Sequence, residues 1–122
     1  MEGFGKKTWL IPDMFWPVKD NGDYVAHEGI CVVNPNDEDC EIEIDFLYTD
    51  MDPVRGYKTV CPAWRTVHIR TDEISINGQG LARGVGYAAI VRCSVPVAVQ
   101  YTRVDVTQPE LALMTTMAFP VD

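Results

Sequence analysis

Apolar residues recur at every second position through most of this chain, and Pro or Gly interrupts them at short intervals. A period of two is the strand period, because successive side chains point to opposite faces of a sheet; a helix needs apolar residues three and four apart. Cys40–Tyr48 shows it most clearly. Ile42, Ile44, Phe46 and Tyr48 take one face, and Glu41, Glu43 and Asp45 take the other. The same alternation predicts strands over Lys7–Ile11, Glu28–Val33, Tyr57–Val60, Arg65–Arg70, Tyr87–Ser94, Val97–Val106 and Leu113–Phe119. Pro12, Pro62, Val95-Pro96 and Pro120 are read as strand ends. Segment 13–24, with its Asn21-Gly22 turn signal and its aromatics, reads as a partly packed loop. Segment 71–86 reads as a long irregular connection. Its Gly-x-Gly pairs follow no long strand and open no helix, which argues against a phosphate loop. About eight short strands with regular turn signals predict an all-β, antiparallel β-sandwich of jelly-roll type. A chain of 122 residues is the size of a single domain, residues 1–122.

Charge narrows the function classes. The net charge is −8, from 18 acidic and 10 basic residues, and the excess is local. Asp37, Glu38, Asp39, Glu41, Glu43, Asp45, Asp50 and Asp52 fall within residues 36–52, where there is no Lys or Arg. Such a balance opposes phosphate-backbone binding, so nucleic acid is not an expected partner. The acidic face of Cys40–Tyr48 reads as a solvated face that discourages edge-to-edge aggregation. No apolar run reaches the length of a membrane-spanning helix. The first twelve residues lack a signal-peptide core, so the expected location is cytoplasmic without membrane insertion.

A search for reaction chemistry is negative. There is no Gly-x-Ser-x-Gly and no cysteine in a catalytic context. Cys31, Cys40, Cys61 and Cys93 form no Cys-x-x-Cys pair and read as reduced core residues. Only His27 and His68 exist, so a two-histidine metal site needs both plus a carboxylate such as Glu28. No metal or other cofactor is expected, and the chain reads as a non-enzyme.

Three polar groups remain, and together they read as walls of one shared ligand-or-interface cluster. Residues 61–70 place Trp64, Thr66, His68 and Arg70 on one strand face, and Arg65 with Val67 and Ile69 on the other. His27 and Glu28 are strand neighbours on opposite faces. Gln100 and Thr102 share one face of a later strand, and Arg103 and Asp105 share the other. There Arg103 is placed to bridge to Asp105 or, across the sheet, to Glu28. Arg70 can pair a carboxylate bidentately, and Trp64 can stack on a sugar or an apolar partner. Trp and Arg are equally at home in subunit interfaces, and a polar strand-end histidine is often simply hydrogen-bonded.

In order along the chain stand Trp9 with Ile11-Pro12; Ala26-His27-Glu28 followed by Cys31 and Asn34; Asp37-Glu38-Asp39; Tyr48-Thr49-Asp50 with Pro53; Ala63-x-Arg65-Thr66-x-His68-x-Arg70; Pro96-Val97-x-Val99-Gln100-x-Thr102-Arg103-x-Asp105; and Leu113-x-Thr115-Thr116. Together they resemble the sensory rhodopsin transducer family, small proteins named for a cyanobacterial member that partners a microbial rhodopsin. The resemblance implies a jelly-roll β-sandwich that assembles as a homotetramer. It also implies a non-enzymatic signalling role, through contact with a membrane photoreceptor or other receptor protein or through a small polar ligand such as a sugar. It places His27, Glu28, Arg65, His68, Arg70, Gln100, Arg103 and Asp105 within the family's motifs. Two other readings compete: a metal-assisted carbohydrate-modifying enzyme using His27, Glu28 and His68, and a structural oligomer whose polar residues build interfaces.

Overall fold

The computed structural model describes residues 4–122. Ten strands run in chain order: β1 (Lys6–Phe15), β2 (His27–Asn34), β3 (Cys40–Tyr48), β4 (Val54–Cys61), β5 (Arg65–Arg70), β6 (Ser75–Ile76), β7 (Gln79–Gly80), β8 (Gly86–Asp105), β9 (Ala112–Met117) and β10 (Phe119–Val121). A single 3-10 turn, Thr71–Glu73, is the one helical element among the described residues.

The architecture is an all-β sandwich, and β8 organises it. Its first 16 residues alternate without a break, with Tyr87, Ala89, Val91, Cys93, Val95, Val97, Val99 and Tyr101 all buried. The first half of β8 pairs antiparallel with β1 and β3, and β10 and β4 extend that five-stranded sheet. The second half pairs antiparallel with β2 and β9, and β5 completes a four-stranded sheet. One strand thus belongs to both layers, and its odd-numbered residues fill the space between them.

This corrects the expectation of two strands divided at Val95-Pro96. The ladder with β3 reaches Cys93 and the ladder with β2 begins at Ala98. Pro96 sits in the gap, where a missing N–H costs no sheet hydrogen bond. Pro12 likewise fails to end β1. The pairing of β1 with β8 shifts register between Ile11 and Met14, and the proline is absorbed by that irregularity. The expected strand over Leu113–Phe119 is two strands in different layers. β9 lies on the four-stranded sheet and β10, which contains Pro120, pairs with Trp9 on the other. The crossover is at Ala118, which is buried and donates its N–H to Val99 O at 3.2 Å. Segment 71–86 is not wholly irregular, since it holds the 3-10 turn and the β6–β7 hairpin.

The interior is mostly aliphatic, built from Ile30, Val32, Ile42, Ile44, Val91, Val97 and Val99 among others, with Trp9, Phe46, Tyr87 and Tyr101 as its aromatics. All four cysteines are free thiols; Cys40 and Cys61 lie buried opposite each other in the β3–β4 ladder. The acidic stripe of β3 is not simply solvated. Glu43 stands between Lys58 and Arg92 in the register. Asp45 is buried, accepting from Arg92 Nη1 at 2.8 Å and Gly56 N–H at 3.0 Å.

Candidate functional site

The bend in β8 divides the polar residues of the sequence into two separate groups. Tyr87 and Tyr101 are 14 residues apart, about 46 Å in a straight strand. Both hydroxyls nevertheless donate to one carboxylate, that of Glu28. Phe15 N–H adds a third hydrogen bond to Glu28 at 2.8 Å. The Glu28 backbone N–H and carbonyl exchange bonds with the Thr71 hydroxyl at 3.2 Å. Glu28 has no exposed surface. A buried charge is tolerated only when its lone pairs are met, and here donors from β1 and from both halves of β8 converge to meet them. Burial, followed by the Glu28 carboxylate itself, raises both phenols above their ordinary pKa and keeps them protonated as donors. Arg103 reaches this group indirectly, donating from Nε to the Tyr101 hydroxyl at 2.9 Å. Its Nη2 lies 3.8 Å from Asp13 Oδ1.

The sequence offered Arg103 two direct partners, and the structure gives it neither. Its path to Glu28 runs through the Tyr101 hydroxyl. Asp105 instead accepts from the N–H and hydroxyl of Thr107, at 2.9 and 2.7 Å, and fixes the turn that follows β8. Those two bonds hold its carboxyl below the usual range.

The second group lies on the outer face of the four-stranded sheet. The register sets His68, Cys31, Gln100 and Met117 in one row across β5, β2, β8 and β9. Arg70, Gly29, Thr102 and Thr115 form the next row, and Thr66, Val33 and Ala98 flank the first on its other side. Thr66, His68, Gln100 and Met117 border a shallow depression of about 250 Å³. Thr66 donates to Val32 O at 2.9 Å, and the Thr102 and Thr115 hydroxyls meet at 3.3 Å. His27 is on this face as well, half-buried, with Nδ1 2.9 Å from Val25 O.

Three expectations change. Trp64 is not on the β5 face: it occupies the turn before β5 with φ 56°, and its indole N–H donates to Asp37 Oδ1 at 2.8 Å. Arg65 is exposed at the start of β5, opposite Asn34, and donates to Trp64 O at 3.1 Å. Arg70 already holds a carboxylate bidentately, from its own chain: Nε and Nη2 donate to Asp72 at 3.0 and 2.8 Å. The enzyme reading loses its geometry too. His27 and Glu28 face opposite sides of β2, and His68 pairs with Cys31, four residues or about 13 Å further along. Among the described residues no group of three His, Cys, Asp or Glu is placed to hold a metal.

The sequence profile of the Anabaena sensory rhodopsin transducer family matches residues 4–120. The chain belongs to this family. Among solved structures it resembles the Anabaena sensory rhodopsin transducer itself, with a TM-score of 0.76 and 32% identity over 85% of this chain and 92% of that one. It also resembles the Thermotoga maritima protein 1070, with a TM-score of 0.85 and 31% identity over 96% of both chains. No curated protein sequence matches. The chain is therefore a signalling-related module of the transducer type.

Within this transducer fold the sequence reading missed two features. One is the pair Tyr87 and Tyr101, whose even spacing signals a shared face once Pro96 is read through. The other ties the two loops that lacked clear family motifs. Arg83 stacks 4.6 Å from the Trp16 ring centroid and donates to Asp20 Oδ1 at 2.9 Å and Pro17 O at 2.8 Å. Asp20 also accepts from Ala26 N–H at 2.8 Å, and Gly84 N–H donates to Trp16 O at 2.7 Å. The only sequence signal was the presence of aromatics in a supposed loop.

Proposed function

We propose that this protein is a single-domain, non-enzymatic transducer that assembles from identical copies as a homotetramer and meets a membrane receptor through the outer face of its four-stranded sheet. The observation that carries this reading is the division made by β8. Its inward residues, with Glu28, are used up in holding the fold, and its outward residues Gln100 and Thr102 join Thr66 and His68 on an open face. Side chains on such a face are free to meet a partner without cost to the core. A groove of about 500 Å³ on the five-stranded sheet is larger, but Arg92, which lines it, already pairs with Asp45.

A photo-cross-linking amino acid placed at Gln100, or at Lys58 on the opposite face, tests this in the native host. Adducts with an integral membrane protein from position 100 and none from position 58 are expected. Adducts from position 58 alone, or none from either, would refute the face assignment.

A second reading, a small polar ligand such as a sugar, has the depression beside His68 in its favour. At about 250 Å³ the depression falls below the roughly 300–1,000 Å³ of enclosed ligand pockets, so protein contact is preferred. A thermal-shift panel of sugars and organic anions on wild type and His68→Ala decides the matter. A shift seen with wild type and lost in the variant favours the ligand.

A further inference from the structure

Three of the four thiols lie together in the interior, where β3 parts from β8. The register sets Cys40 directly opposite Cys61 in the β3–β4 ladder. The β3–β8 ladder ends at Ile42 and Cys93, and beyond it the Glu41 N–H donates to the Ser94 hydroxyl at 2.8 Å. Cys93 thus stands opposite Ile42, two residues from Cys40 on the same inward face, and its thiol donates to Cys40 Sγ. Cys40 and Cys61 have no exposed surface. Cys93 is 7% exposed and lines the groove of about 500 Å³ on the five-stranded sheet. Cys31 is the more open thiol, but it lies on the outer face beside His68 and Gln100 and has no second cysteine across either ladder.

We propose that Cys40 and Cys61 form a reversible intrachain disulfide on exposure to hydrogen peroxide, with Cys40 as the attacking sulfur, Cys61 as the resolving one and Cys93 as the thiol that activates Cys40. Opposed residues of an antiparallel pair have Cα atoms about 4.5–5.5 Å apart, inside the roughly 4.4–6.8 Å that a disulfide spans. The thiolate is the reactive form of cysteine. The hydrogen bond from Cys93 lowers the Cys40 pKa, burial opposes it, and the N–H groups of Val95 and Ser94 help bring it down to about 6. Burial, followed by the charge of Cys40, holds Cys61 above its ordinary value, so Cys61 keeps its proton until Cys40 has reacted. In the first step the Cys40 sulfur attacks one peroxide oxygen. An S–O bond forms, the O–O bond breaks, and the departing hydroxide takes up a proton as water, leaving a sulfenic acid. Cys61 then attacks the Cys40 sulfur. The S–S bond forms, the S–O bond breaks, and the hydroxyl leaves as water with the Cys61 proton. Two thiols are oxidised and one hydrogen peroxide is reduced to two waters. The bond has a structural consequence. The Cys61 thiol donates to Arg65 O at 3.2 Å and to Val32 O at 3.9 Å, tying β4 to β5 and β2 in the other layer. A disulfide sulfur carries no hydrogen, so oxidation removes both ties at the start of the strand that bears Thr66 and His68.

Peptide mapping of the full chain under non-reducing conditions, after hydrogen peroxide and alkylation of the remaining thiols, tests the site. Wild type should yield a Cys40–Cys61 link within one chain, with two thiols lost per peroxide consumed and both restored by dithiothreitol. Cys93→Ala should form the link about tenfold or more slowly at neutral pH, because Cys40 returns toward the ordinary thiol range, where only a few per cent is ionised. Above about pH 10 the two rates should converge, since Cys40 is then ionised in both proteins. A wild-type map that shows Cys40 linked to Cys93, oxidation confined to Cys31, or no loss of thiols overturns the proposal, whether or not the variant folds. A Cys93→Ala protein that reacts at the wild-type rate at neutral pH overturns the role given to Cys93.

Discussion

Glu28 shows how far residue chemistry decides this structure. A carboxylate with no exposed surface survives because two phenols and a backbone N–H meet it. Glu28→Ala should cost about 3–5 kcal/mol in urea unfolding, since it strands buried donors and leaves a cavity. Tyr101→Phe should cost about 1–3 kcal/mol, because one lone pair of a buried charge loses its donor. Gln100→Ala, one residue away but on the outer face, should stay within about 0.5 kcal/mol. Asp45 gives a pH test. Burial pushes its carboxyl up, but the hydrogen bonds from Arg92 and Gly56 outweigh it and the folded-state pKa is lowered. A lowered folded pKa contributes stability that is present above the ordinary carboxylate value and is lost as pH falls through the folded one. Wild type should therefore exceed Arg92→Ala in stability at neutral pH, and the gap should narrow in unfolding measurements carried below about pH 4.

At the scale of elements, alternation made the strands legible and proline obscured their ends. Cys40–Tyr48 and Arg65–Arg70 lie where period two puts them, because the apolar side chains of each, Ile42, Ile44 and Phe46 in the first and Ile69 in the second, are buried. Pro12, Pro96 and Pro120 were read as breaks because a proline removes a ladder donor. The structure places each where the ladder changes register, has a gap or lies at a sheet edge. The outer-face residues Thr66, His68, Gln100 and Thr102 could be read from parity alone. Their separation from Glu28 and Arg103 followed equally from parity, but the convergence of Tyr87 and Tyr101 did not: it depends on a bend that no local pattern encodes. The loop clasp around Arg83 was illegible for the same reason, being a contact between segments more than 60 residues apart. Arg83→Ala should speed amide exchange at Ala26 and Gly84, whose N–H groups belong to the clasp. Exchange in β8 should remain unchanged, because the clasp lies outside the ladders.

At the scale of the whole molecule, one long strand shared by two layers assigns an inward job and an outward job to alternating residues. The inward set locks the layers together through Glu28, and the outward set supplies the contact face proposed for this transducer. The most direct test is an amide-exchange footprint of the protein alone against the protein bound to the receptor that the position-100 probe captures. Protection is expected at Cys31–Val33, Thr66–Arg70 and Ala98–Thr102. Protection confined to Glu41–Asp45 and Lys58–Val60 would contradict the account.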